Sequence, residues 1–520
     1  MDKRTINQCL AQTVQLYRDK EAVTDFDSSY TWGEVYTLSK KLADYLKEVG
    51  INKGSYVAIW MDNSIRWIAL FFALNEIGAV PVLLNVAYKW RELEAALSTC
   101  DVEYIFYSPK YKSSDHMRTI RELNREQLPK FKEAFLVETT YLEKPTRKEV
   151  LKFCADMDGK SYTSSSEDVC SILFTSGTTG RARGAMLTHS NIVNNSLAIV
   201  TRLGWTFNDK HCFVVPMYHC FGITVGIMGA VHTGASIHLV RKFKPALVFE
   251  TIEKFRCNIF NGVPTMFLAM RNSADKANYD LSSMKGGLMA GSAILPNEYM
   301  EICQEFGMDY LNTAYGQTES SPAITVSCDA DTKVVRSTTA GRILPDVEVK
   351  IRNAGELIGG SNVGEIMTRG YHVMKGYYNM PEDTSRAIDE DGWLATGDLG
   401  YLDDEGYLHI TGRIKDIIVR GGENISPAEI EQVICQLPWV KSVKIVGIPA
   451  DIIQEEVVAC IIPKEKDAFD EAEVKVFVSS QLADYKVPRY VLQFEEFPMN
   501  SNGKVLSKDL SEQCKDIINT

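Results

Sequence analysis

The chain has 520 residues, of which 45% are hydrophobic and 24% charged, a composition typical of a globular protein with more than one domain. Its net charge of −12 argues against a general attraction to nucleic acid or anionic lipid, so a polyanionic ligand needs local cations. The 12 cysteines form no CxxC pair, which favours reduced thiols in a cytoplasmic protein, and we expect no secretory signal in the first residues.

The first half of the chain alternates between helical and strand patterns. Residues 31–50 open with Thr31 three residues before Glu34, a capping box that predicts an amphipathic helix. The apolar run 67–86 is interrupted by polar residues and a proline, so it predicts a buried helix, a turn at Gly78 and a core strand, and no transmembrane segment. The alternation recurs further along the chain and predicts an α/β fold, with mostly parallel sheets covered by helices.

The pattern changes after about residue 337. Short strand patterns separated by glycine and aspartate turns predict a small β-rich subdomain at about 337–412. Helical and strand patterns of a compact α+β type follow. We therefore expect a large N-terminal domain at 1–412 and a small C-terminal domain at 413–520.

The stretch LFTSGTTGRARGAMLTH, residues 173–189, lies between a predicted strand and a predicted helix. Its small residues let backbone N–H groups approach an anion, its hydroxyls add donors, and Arg181 and Arg183 add charge. This composition favours a triphosphate as the ligand. The Walker pattern GxxxxGK[ST] and the kinase pattern GxGxxG do not occur here, and a solvated glycine and threonine turn is the alternative interpretation.

TSGTTG followed by a basic residue and glycine resembles the phosphate loop of the adenylate-forming superfamily: acyl-CoA synthetases, firefly-type luciferases and peptide-synthetase adenylation domains. Further motifs follow in the family's order, namely AGS at 290–292, YGQTE at 315–319, TGD at 396–398, GRIKDIIVRGGENISPAEIE at 412–431 and NGK at 502–504. The chain departs from the family at Ala182-Arg183-Gly184, where Pro-Lys-Gly is usual. Arg183 keeps the positive charge of the usual lysine and offers a forked set of donors.

The resemblance implies a nucleotide site in this chain, with ATP, Mg²⁺ and coenzyme A as cofactors. It implies that Tyr315 stacks on adenine, Thr318 contacts phosphate and Glu319 binds Mg²⁺, a cation that prefers oxygen ligands. It also implies that Asp398 grips the ribose hydroxyls with help from Arg413. The residues implied in ATP or AMP binding are Thr175, Ser176, Gly177, Thr178, Thr179, Gly180, Arg183, Gly291, Ser292, Ala314, Tyr315, Gly316, Gln317, Thr318, Asp398, Arg413 and Lys504. Taken alone, Glu319 also fits a solvated loop acid, and Asp398 fits a side chain that caps a turn.

Lys504 follows Asn502-Gly503, a strong hairpin signal, and taken alone fits a surface lysine. The resemblance implies that it is the catalytic lysine, which reaches the α-phosphate and the substrate carboxylate. It further implies that Lys415 is the pivot of a hinge between the two domains. The residues implied in coenzyme A binding are Gly421, Gly422 and Glu423.

The resemblance also implies a pocket for a carboxylic acid. The residues implied in it are Tyr218, His219, Phe221, Gly222, Val263 and Gly287. His219 matches the aromatic position near the substrate carboxylate, with a satisfied core histidine as the alternative. The apolar run GITVGIMGAVHTG, 222–234, fits either the wall of an acyl tunnel or a buried helix that packs on the sheet.

Several features separate the branches of the family. Amino-acid adenylation domains carry an aspartate near the VPMYHCFG position, where this chain has no acid, so an acid without an amino group is favoured. MYHCFG, NGVPTMF, AGS and RGGENISPAE are most similar to medium-chain and related fatty acyl-CoA synthetases. We therefore predict an AMP-forming ligase that joins a medium-chain or long-chain fatty acid to coenzyme A. An aryl or carnitine-like acid, or less readily a carrier-free amino-acid adenylating enzyme, are the alternatives.

Hypotheses from other classes are weaker. A nucleotide-binding regulator without catalysis needs neither Lys504 nor a hinge. A luciferase-type oxygenase shares all of the motifs and stays open as a side activity. The His211-Cys212 and His219-Cys220 pairs do not have the spacing of a zinc finger. We expect a homodimer, small-molecule partners and no nucleic acid.

Overall fold

The computed structural model describes residues 1–112, 114–137, 144, 146–155, 164–175, 182–353, 362–420, 423–450, 453–499 and 505–519. In chain order the strands of these residues are β1 (Glu21–Asp25), β2 (Ser28–Thr31), β3 (Tyr56–Trp60), β4 (Val80–Leu83), β5 (Tyr104–Tyr107), β6 (Lys110–Tyr111), β7 (Ser114–Asp115), β8 (Glu133–Leu136), β9 (Val169–Thr175), β10 (Arg183–Thr188), β11 (Lys210–Phe213), β12 (Ser236–Leu239), β13 (Ile259–Phe260), β14 (Gly286–Met289), β15 (Tyr310–Tyr315), β16 (Thr325–Val326), β17 (Arg342–Ile343), β18 (Val347–Asn353), β19 (Gly364–Gly370), β20 (Gly376–Tyr377), β21 (Leu394–Leu402), β22 (Leu408–Arg413), β23 (Ile418–Arg420), β24 (Glu423–Ile425), β25 (Val440–Ala450), β26 (Gln454–Pro463) and β27 (Tyr490–Gln493).

The α-helices of the described residues are α1 (Ile6–Tyr17), α2 (Trp32–Glu48), α3 (Ile65–Glu76), α4 (Trp90–Thr99), α5 (His116–Glu122), α6 (Arg147–Ala155), α7 (His189–Arg202), α8 (Met228–Thr233), α9 (Pro245–Phe255), α10 (Pro264–Arg271), α11 (Pro296–Phe306), α12 (Lys333–Thr338), α13 (Pro381–Ala387), α14 (Pro427–Ile434), α15 (Glu471–Gln481) and α16 (Ser507–Asn519). The capping box predicted for α2 is confirmed. The Glu34 N–H donates to Thr31 Oγ1 at 3.2 Å, and the Thr31 N–H donates to Glu34 Oε2 at 2.8 Å.

Two large sheets carry the N-terminal part of the chain. The first has the strand order β17-β16-β15-β14-β13-β11-β12-β1-β2 and is parallel from β15 to β1. The second has the order β20-β10-β9-β4-β3-β5-β8 and is parallel from β9 to β8. The predicted α/β fold with mostly parallel sheets is therefore confirmed.

The largest hydrophobic cluster takes side chains from both sheets, including Val23 of β1 and Leu173 of β9. Helix α3 lies in this cluster, with Trp67, Phe71 and Phe72 fully buried. The apolar run 67–86 is thus a buried helix and a core strand, as predicted. Among the described residues, no helix is both long and apolar enough to span a bilayer.

Two smaller sheets follow. Strands β18, β19, β21 and β22 form a four-stranded antiparallel sheet, which confirms the predicted β-rich region. Strands β24, β23, β26 and β25, with β27 beside β26, form the sheet of the C-terminal part. Helices α14 and α15 share a hydrophobic cluster with this sheet.

Helix α7 holds two segments that are distant in sequence. The Asn191 side-chain amide donates to the carbonyls of Tyr371, at 2.6 Å, and Val373, at 3.0 Å. One turn later, the Asn195 amide donates to the Ala323 carbonyl at 2.7 Å, and its oxygen accepts from the Ala323 N–H at 3.1 Å. Both asparagines are buried, so these bonds satisfy backbone groups that water does not reach.

We expect Asn195→Ala to destabilise the protein. It leaves the buried N–H and carbonyl of Ala323 without this partner, a loss of about 2 kcal/mol in the free energy of unfolding. Thermal unfolding monitored by fluorescence measures the effect as a lower melting temperature. Leu197→Ala, at a residue of the same helix that is 36% exposed, is the matched control. Equal melting temperatures for the two variants would contradict the role given to Asn195.

Candidate active site

One group of the predicted site residues lies at or just after the carboxyl ends of four adjacent parallel strands of the first sheet. The loop with Tyr218 and His219 follows β11, Val263 follows β13, Gly291 follows β14, and Tyr315 ends β15. Because parallel strands end at the same edge of a sheet, these residues lie along one edge, where open α/β sheets bind their ligands. The topology therefore brings together residues that are about a hundred positions apart in sequence.

Strands β9 and β10 frame the predicted phosphate loop. Thr175, the last residue of β9, is the Cα partner of Arg183, the first residue of β10. Thr175 Oγ1 and Arg183 Nε are both buried and have no hydrogen-bond partner among the described residues. Two such donors at the mouth of one loop fit an anion such as phosphate.

Several predicted residues lie outside the described residues. They are Ser176, Gly177, Thr178, Thr179 and Gly180 of the phosphate loop, Gly421 and Gly422 of the coenzyme A site, and Lys504.

The segment after β15 turns sharply at Gly316, where a Cβ atom would lie 1.9 Å from the Pro322 carbonyl oxygen. A short 3₁₀ helix, Thr318–Ser320, follows. Glu319 is buried, with 7% of its surface exposed, and its Oε1 accepts a hydrogen bond of 2.7 Å from the Tyr377 hydroxyl. A buried carboxylate with a hydrogen-bonded oxygen is not the solvated loop acid that the sequence left open.

Asp398 lies in strand β21, where the local turn composition survives as an irregularity: Gly397 has a φ of +72°, and the Asp398 N–H donates to Thr396 Oγ1 at 3.1 Å. Its Oδ2 accepts from the Tyr315 hydroxyl at 2.8 Å, and its Oδ1 lies 2.9 Å from Arg413 Nε on the neighbouring strand β22. Burial and the charge of Asp398 raise the pKa of the Tyr315 phenol well above its usual value, so it stays a donor. The three residues predicted to bind the nucleoside are therefore in contact.

The loop that carries His219 is held at its base by Asn63. Asn63 Oδ1 accepts from the Met217 N–H at 3.0 Å, and Asn63 Nδ2 donates to the Val215 carbonyl at 2.9 Å. The half-buried His219 ring lies 4.8 Å from the Tyr218 ring, centroid to centroid. The Cys220 thiol that follows donates to Thr318 Oγ1 at 3.6 Å, which places this loop against the Glu319 turn.

The apolar run after Cys220 is helical. Phe221–Ile227 forms a π-helix that continues into α8, and most of its side chains are buried. Gly222 has a packing role, because a Cβ atom there would lie 2.2 Å from the Pro216 carbonyl oxygen. Gly287, with φ of +150°, has a similar role, because its Cβ would lie 1.9 Å from the Phe260 carbonyl oxygen. Packing alone thus explains both glycines, and Gly287 lies inside strand β14, before its carboxyl end.

Other predicted residues lie at the rim. Gly291, with φ of +96°, and Ser292 are exposed, and a Cβ on Gly291 would lie 3.1 Å from the half-buried Val263 side chain. Ala314 and Gln317 are half-buried on either side of the turn at Gly316.

The predicted hinge residue Lys415 lies between two sheets, and Glu423 of the predicted coenzyme A site lies in the sheet that follows. Lys415 is exposed in a short 3₁₀ helix, Ile414–Asp416, which joins β22 to β23. Glu423 is exposed at the start of β24 and is the Cα partner of Arg420.

Among the residues that the structure describes, no group of three or more His, Cys, Asp or Glu side chains could hold a metal ion. His211 is fully inside the core, where burial lowers its pKa to about 4. The cysteines whose side chains are described are free thiols.

The AMP-binding enzyme family model matches residues 10–378, and the model of the AMP-binding enzyme C-terminal domain matches residues 429–504. The chain belongs to the AMP-binding enzyme family. It is 37% identical to YngI of Bacillus subtilis (strain 168), a protein named provisionally as an acyl-CoA synthetase, over 99% of this chain and 98% of that one. It is 33% identical to the mitochondrial medium-chain acyl-CoA ligase ACSF2 of Danio rerio, over 99% of this chain and 89% of that one. The crystal structure of ATP-bound MatB from Rhodopseudomonas palustris aligns with a TM-score of 0.86 at 27% identity and covers 99% and 100% of the two chains.

These similarities confirm the predicted superfamily and fold. They also confirm the predicted class of enzyme, an AMP-forming acid–CoA ligase that uses ATP. The matches extend over the whole chain, so the class does not depend on a single motif.

Sequence reasoning missed four residues of this AMP-binding enzyme: Asn63, Asn191, Asn195 and Tyr377. Asparagine is unfavourable inside a helix, so two of them four residues apart in α7 were a signal for a specific contact. Tyr377 lies in an aromatic pair after a glycine, which alone does not distinguish a core residue from a site residue.

We expect Asp398→Asn to weaken ATP binding. The amide keeps the size of the side chain, but it removes the charge that pairs with Arg413 and replaces an acceptor oxygen with a donor. The KM for ATP should therefore rise by about tenfold or more, measured from initial rates at varied ATP. Asp403→Asn removes a carboxylate that pairs with His409 just beyond the same strand, and it should leave this KM unchanged. An unchanged KM in Asp398→Asn would rule out the predicted ribose contact.

Proposed function

We propose that the protein activates a medium-chain or long-chain fatty acid with Mg-ATP and then transfers the acyl group to coenzyme A. The formation of the acyl-adenylate is supported by one observation, the contact of Asp398 with both Tyr315 and Arg413. The buried Glu319 follows Tyr315 within a few residues. Together these residues offer an aromatic face, a ribose acceptor and a cation ligand. Full-length similarity to a medium-chain acyl-CoA ligase supports the thiol acceptor and the class of acid.

In the first half-reaction, a carboxylate oxygen of the acid attacks the α-phosphorus of ATP, and the bond to pyrophosphate breaks. Two anions meet in this step, so preorganised positive charge is the main way to lower its barrier. We assign Arg183 and Thr175 to the leaving β- and γ-phosphates, because both have a buried polar atom without a partner among the described residues and they are paired on either side of the loop. The family resemblance assigns Lys504 to the α-phosphate and the carboxylate, and Thr318 to phosphate.

A divalent cation fits this site through Glu319. The carboxylate is buried, one oxygen is oriented by Tyr377, and we assign the second oxygen, Oε2, to Mg²⁺. When bound, Mg²⁺ would neutralise part of the phosphate charge and orient the phosphates.

In the second half-reaction, the sulfur of coenzyme A attacks the acyl carbon, AMP leaves, and the thiol proton is lost. We propose that the part of the chain from 413 to 520 moves relative to 1–412 between the two steps, with Lys415 as the pivot. Its exposed position between two sheets supports this role, because a few backbone dihedrals there are enough to reorient one sheet. Gly421, Gly422 and Glu423 would then line the path of the pantetheine arm.

Tyr218, His219 and Phe221 are proposed to border the acyl group. Burial, with Tyr111 and Tyr88 nearby, raises the pKa of the Tyr218 phenol, so this side chain stays neutral. Neutral aromatic surroundings favour an uncharged acyl tail over the ammonium group of an amino acid. An aryl or carnitine-like acid is the second candidate, because aromatic side chains also suit a ring or a quaternary ammonium.

The cytoplasmic location, the homodimer and the domain boundary at 412 stay predictions from the sequence. The free thiols agree with a reducing compartment, but they do not distinguish the cytoplasm from the mitochondrial location in the name of one relative.

A panel of acids tests the proposed function directly. AMP release with ATP, Mg²⁺ and coenzyme A should show the highest kcat/KM for octanoate or palmitate, compared with acetate, benzoate, carnitine and leucine. Benzoate or carnitine as the best substrate would favour the second candidate. If none of these acids supported AMP release, the ligase assignment would fail.

We expect Lys504→Ala to separate the two half-reactions. Loss of a preorganised cation should slow ATP–pyrophosphate exchange by about a hundredfold, whereas thioester formation from supplied acyl-adenylate stays near the wild-type rate. Lys508→Ala, at an exposed lysine of α16, is the matched control. Equal losses in both half-reactions would contradict the assignment of Lys504 to the first step.

A further inference from the structure

Tyr377 joins two parts of the site that are far apart in sequence. Its hydroxyl donates to Glu319 Oε1 at 2.7 Å, and its ring lies under the Arg183 guanidinium, 4.4 Å from the guanidinium carbon to the ring centroid. Only 4% of Tyr377 and 7% of Glu319 are exposed. A side chain in this position touches both the predicted cation ligand, Glu319, and Arg183, the first residue of strand β10.

Backbone pairing fixes this position. Strand β20 pairs with β10 in an antiparallel register, with Ala185 opposite Tyr377. The Lys375 N–H donates to the Met186 carbonyl at 2.9 Å, and the Tyr378 N–H donates to the Gly184 carbonyl at 2.8 Å. These bonds flank Tyr377 on both sides, so its ring has little freedom to move away from β10.

The same segment is tied to the Glu319 turn by its backbone. The Met374 N–H donates to the Glu319 carbonyl at 2.9 Å, while Asn191 of α7 holds the carbonyl of Val373. Glu319 therefore has one backbone bond and one side-chain bond to a single short segment. Its carboxylate is oriented by a scaffold that also carries the strand after the phosphate loop.

We propose that Tyr377 is a positioning residue, which orients Glu319 for a divalent cation and couples that carboxylate to Arg183 at the phosphate loop. The inference rests on the proposed function of Glu319. A hydrogen bond from a phenol to one carboxylate oxygen directs the other oxygen toward the cation. A guanidinium over an aromatic ring is attracted to the face of the ring. Tyr377 therefore contacts Arg183 of strand β10 with its ring and Glu319 with its hydroxyl.

The donor and acceptor roles in this pair are fixed by the groups themselves. A carboxylate can only accept, so the 2.7 Å contact is a hydrogen bond from the Tyr377 hydroxyl to Glu319 Oε1.

Tyr377→Phe removes the hydroxyl and keeps the ring over which Arg183 lies. We expect ATP–pyrophosphate exchange to fall about tenfold, because one charge-assisted hydrogen bond is lost. The KM for the acid should not change. Tyr378→Phe is the matched control, because the neighbouring hydroxyl donates to Asp101, at 3.1 Å, and not to Glu319.

Binding of a nonhydrolysable ATP analogue gives a readout that does not depend on turnover. Thermal-shift titrations with Mg²⁺ and with EDTA separate cation-dependent from cation-independent binding. Tyr377→Phe should weaken binding about tenfold with Mg²⁺ and leave binding in EDTA unchanged. Equal weakening in both conditions, or no weakening in either, would overturn the proposal.

Glu319→Gln distinguishes this inference from the proposed function on which it rests. If Glu319→Gln retains Mg²⁺-dependent binding, the assignment of Glu319 to the cation fails. If Glu319→Gln loses Mg²⁺-dependent binding of the analogue and Tyr377→Phe keeps it, only the role given to Tyr377 fails. The double variant should lose no more Mg²⁺-dependent binding than Glu319→Gln alone. Tyr377 is proposed to act only through Glu319, so the two effects should not add.

Discussion

The active-site edge depends on two side-chain amides on one face of helix α7. Asn191 and Asn195 lie four residues apart, so they project from the same side of the helix. The first binds the backbone just before Met374, and the second binds the backbone just after the Glu319 turn. Since α7 follows β10 directly, this one helix fixes the relative positions of strand β10, the turn with Glu319 and the segment with Tyr377. These bonds give buried backbone groups their hydrogen-bond partners. A shift of either segment relative to α7 would leave those backbone groups without partners.

The two buried carboxylates, Asp398 and Glu319, are stabilised in different ways. Asp398 lies beside the guanidinium of Arg413 and also accepts from a phenol. Glu319 accepts from the Tyr377 phenol, and the guanidinium of Arg183 lies over the ring of that tyrosine. In the ion pair of Asp398, the negative charge is compensated by a cation of the protein itself. A carboxylate that is hydrogen-bonded to a neutral hydroxyl keeps its negative charge and can still bind a cation from solution. The difference agrees with a ribose contact at Asp398 and a metal contact at Glu319.

Much of this architecture was predictable from the sequence, because strong local signals agree with it. The capping box at Thr31, the alternation of apolar runs and the glycine turns give the elements of an α/β fold, and six ordered motifs give the family. The contacts made by Asn191, Asn195 and Tyr377 were not predictable, because each joins segments more than fifty residues apart. At Asp398 the two kinds of signal meet: the Thr396-Gly397 pair keeps its turn character, with Gly397 at a φ of +72°, while pairing with β22 continues the strand through it. The local preference was visible in the sequence, but the contact with Arg413 on the neighbouring strand was not.

The replacement of the usual lysine by Arg183 fits this environment. An ammonium is a compact point charge, whereas a guanidinium is planar and lies flat on an aromatic ring while its edge donates hydrogen bonds. Arg183 uses its face for Tyr377 and lies 4.0 Å from Asp383 at one nitrogen, while its buried Nε has no partner among the described residues. The side chain is therefore oriented by the protein itself, with its Nε donor available to the phosphate that we propose for this loop. A lysine at this position would carry the same charge with less of this orientation, which agrees with the proposed role of Arg183 at the leaving pyrophosphate.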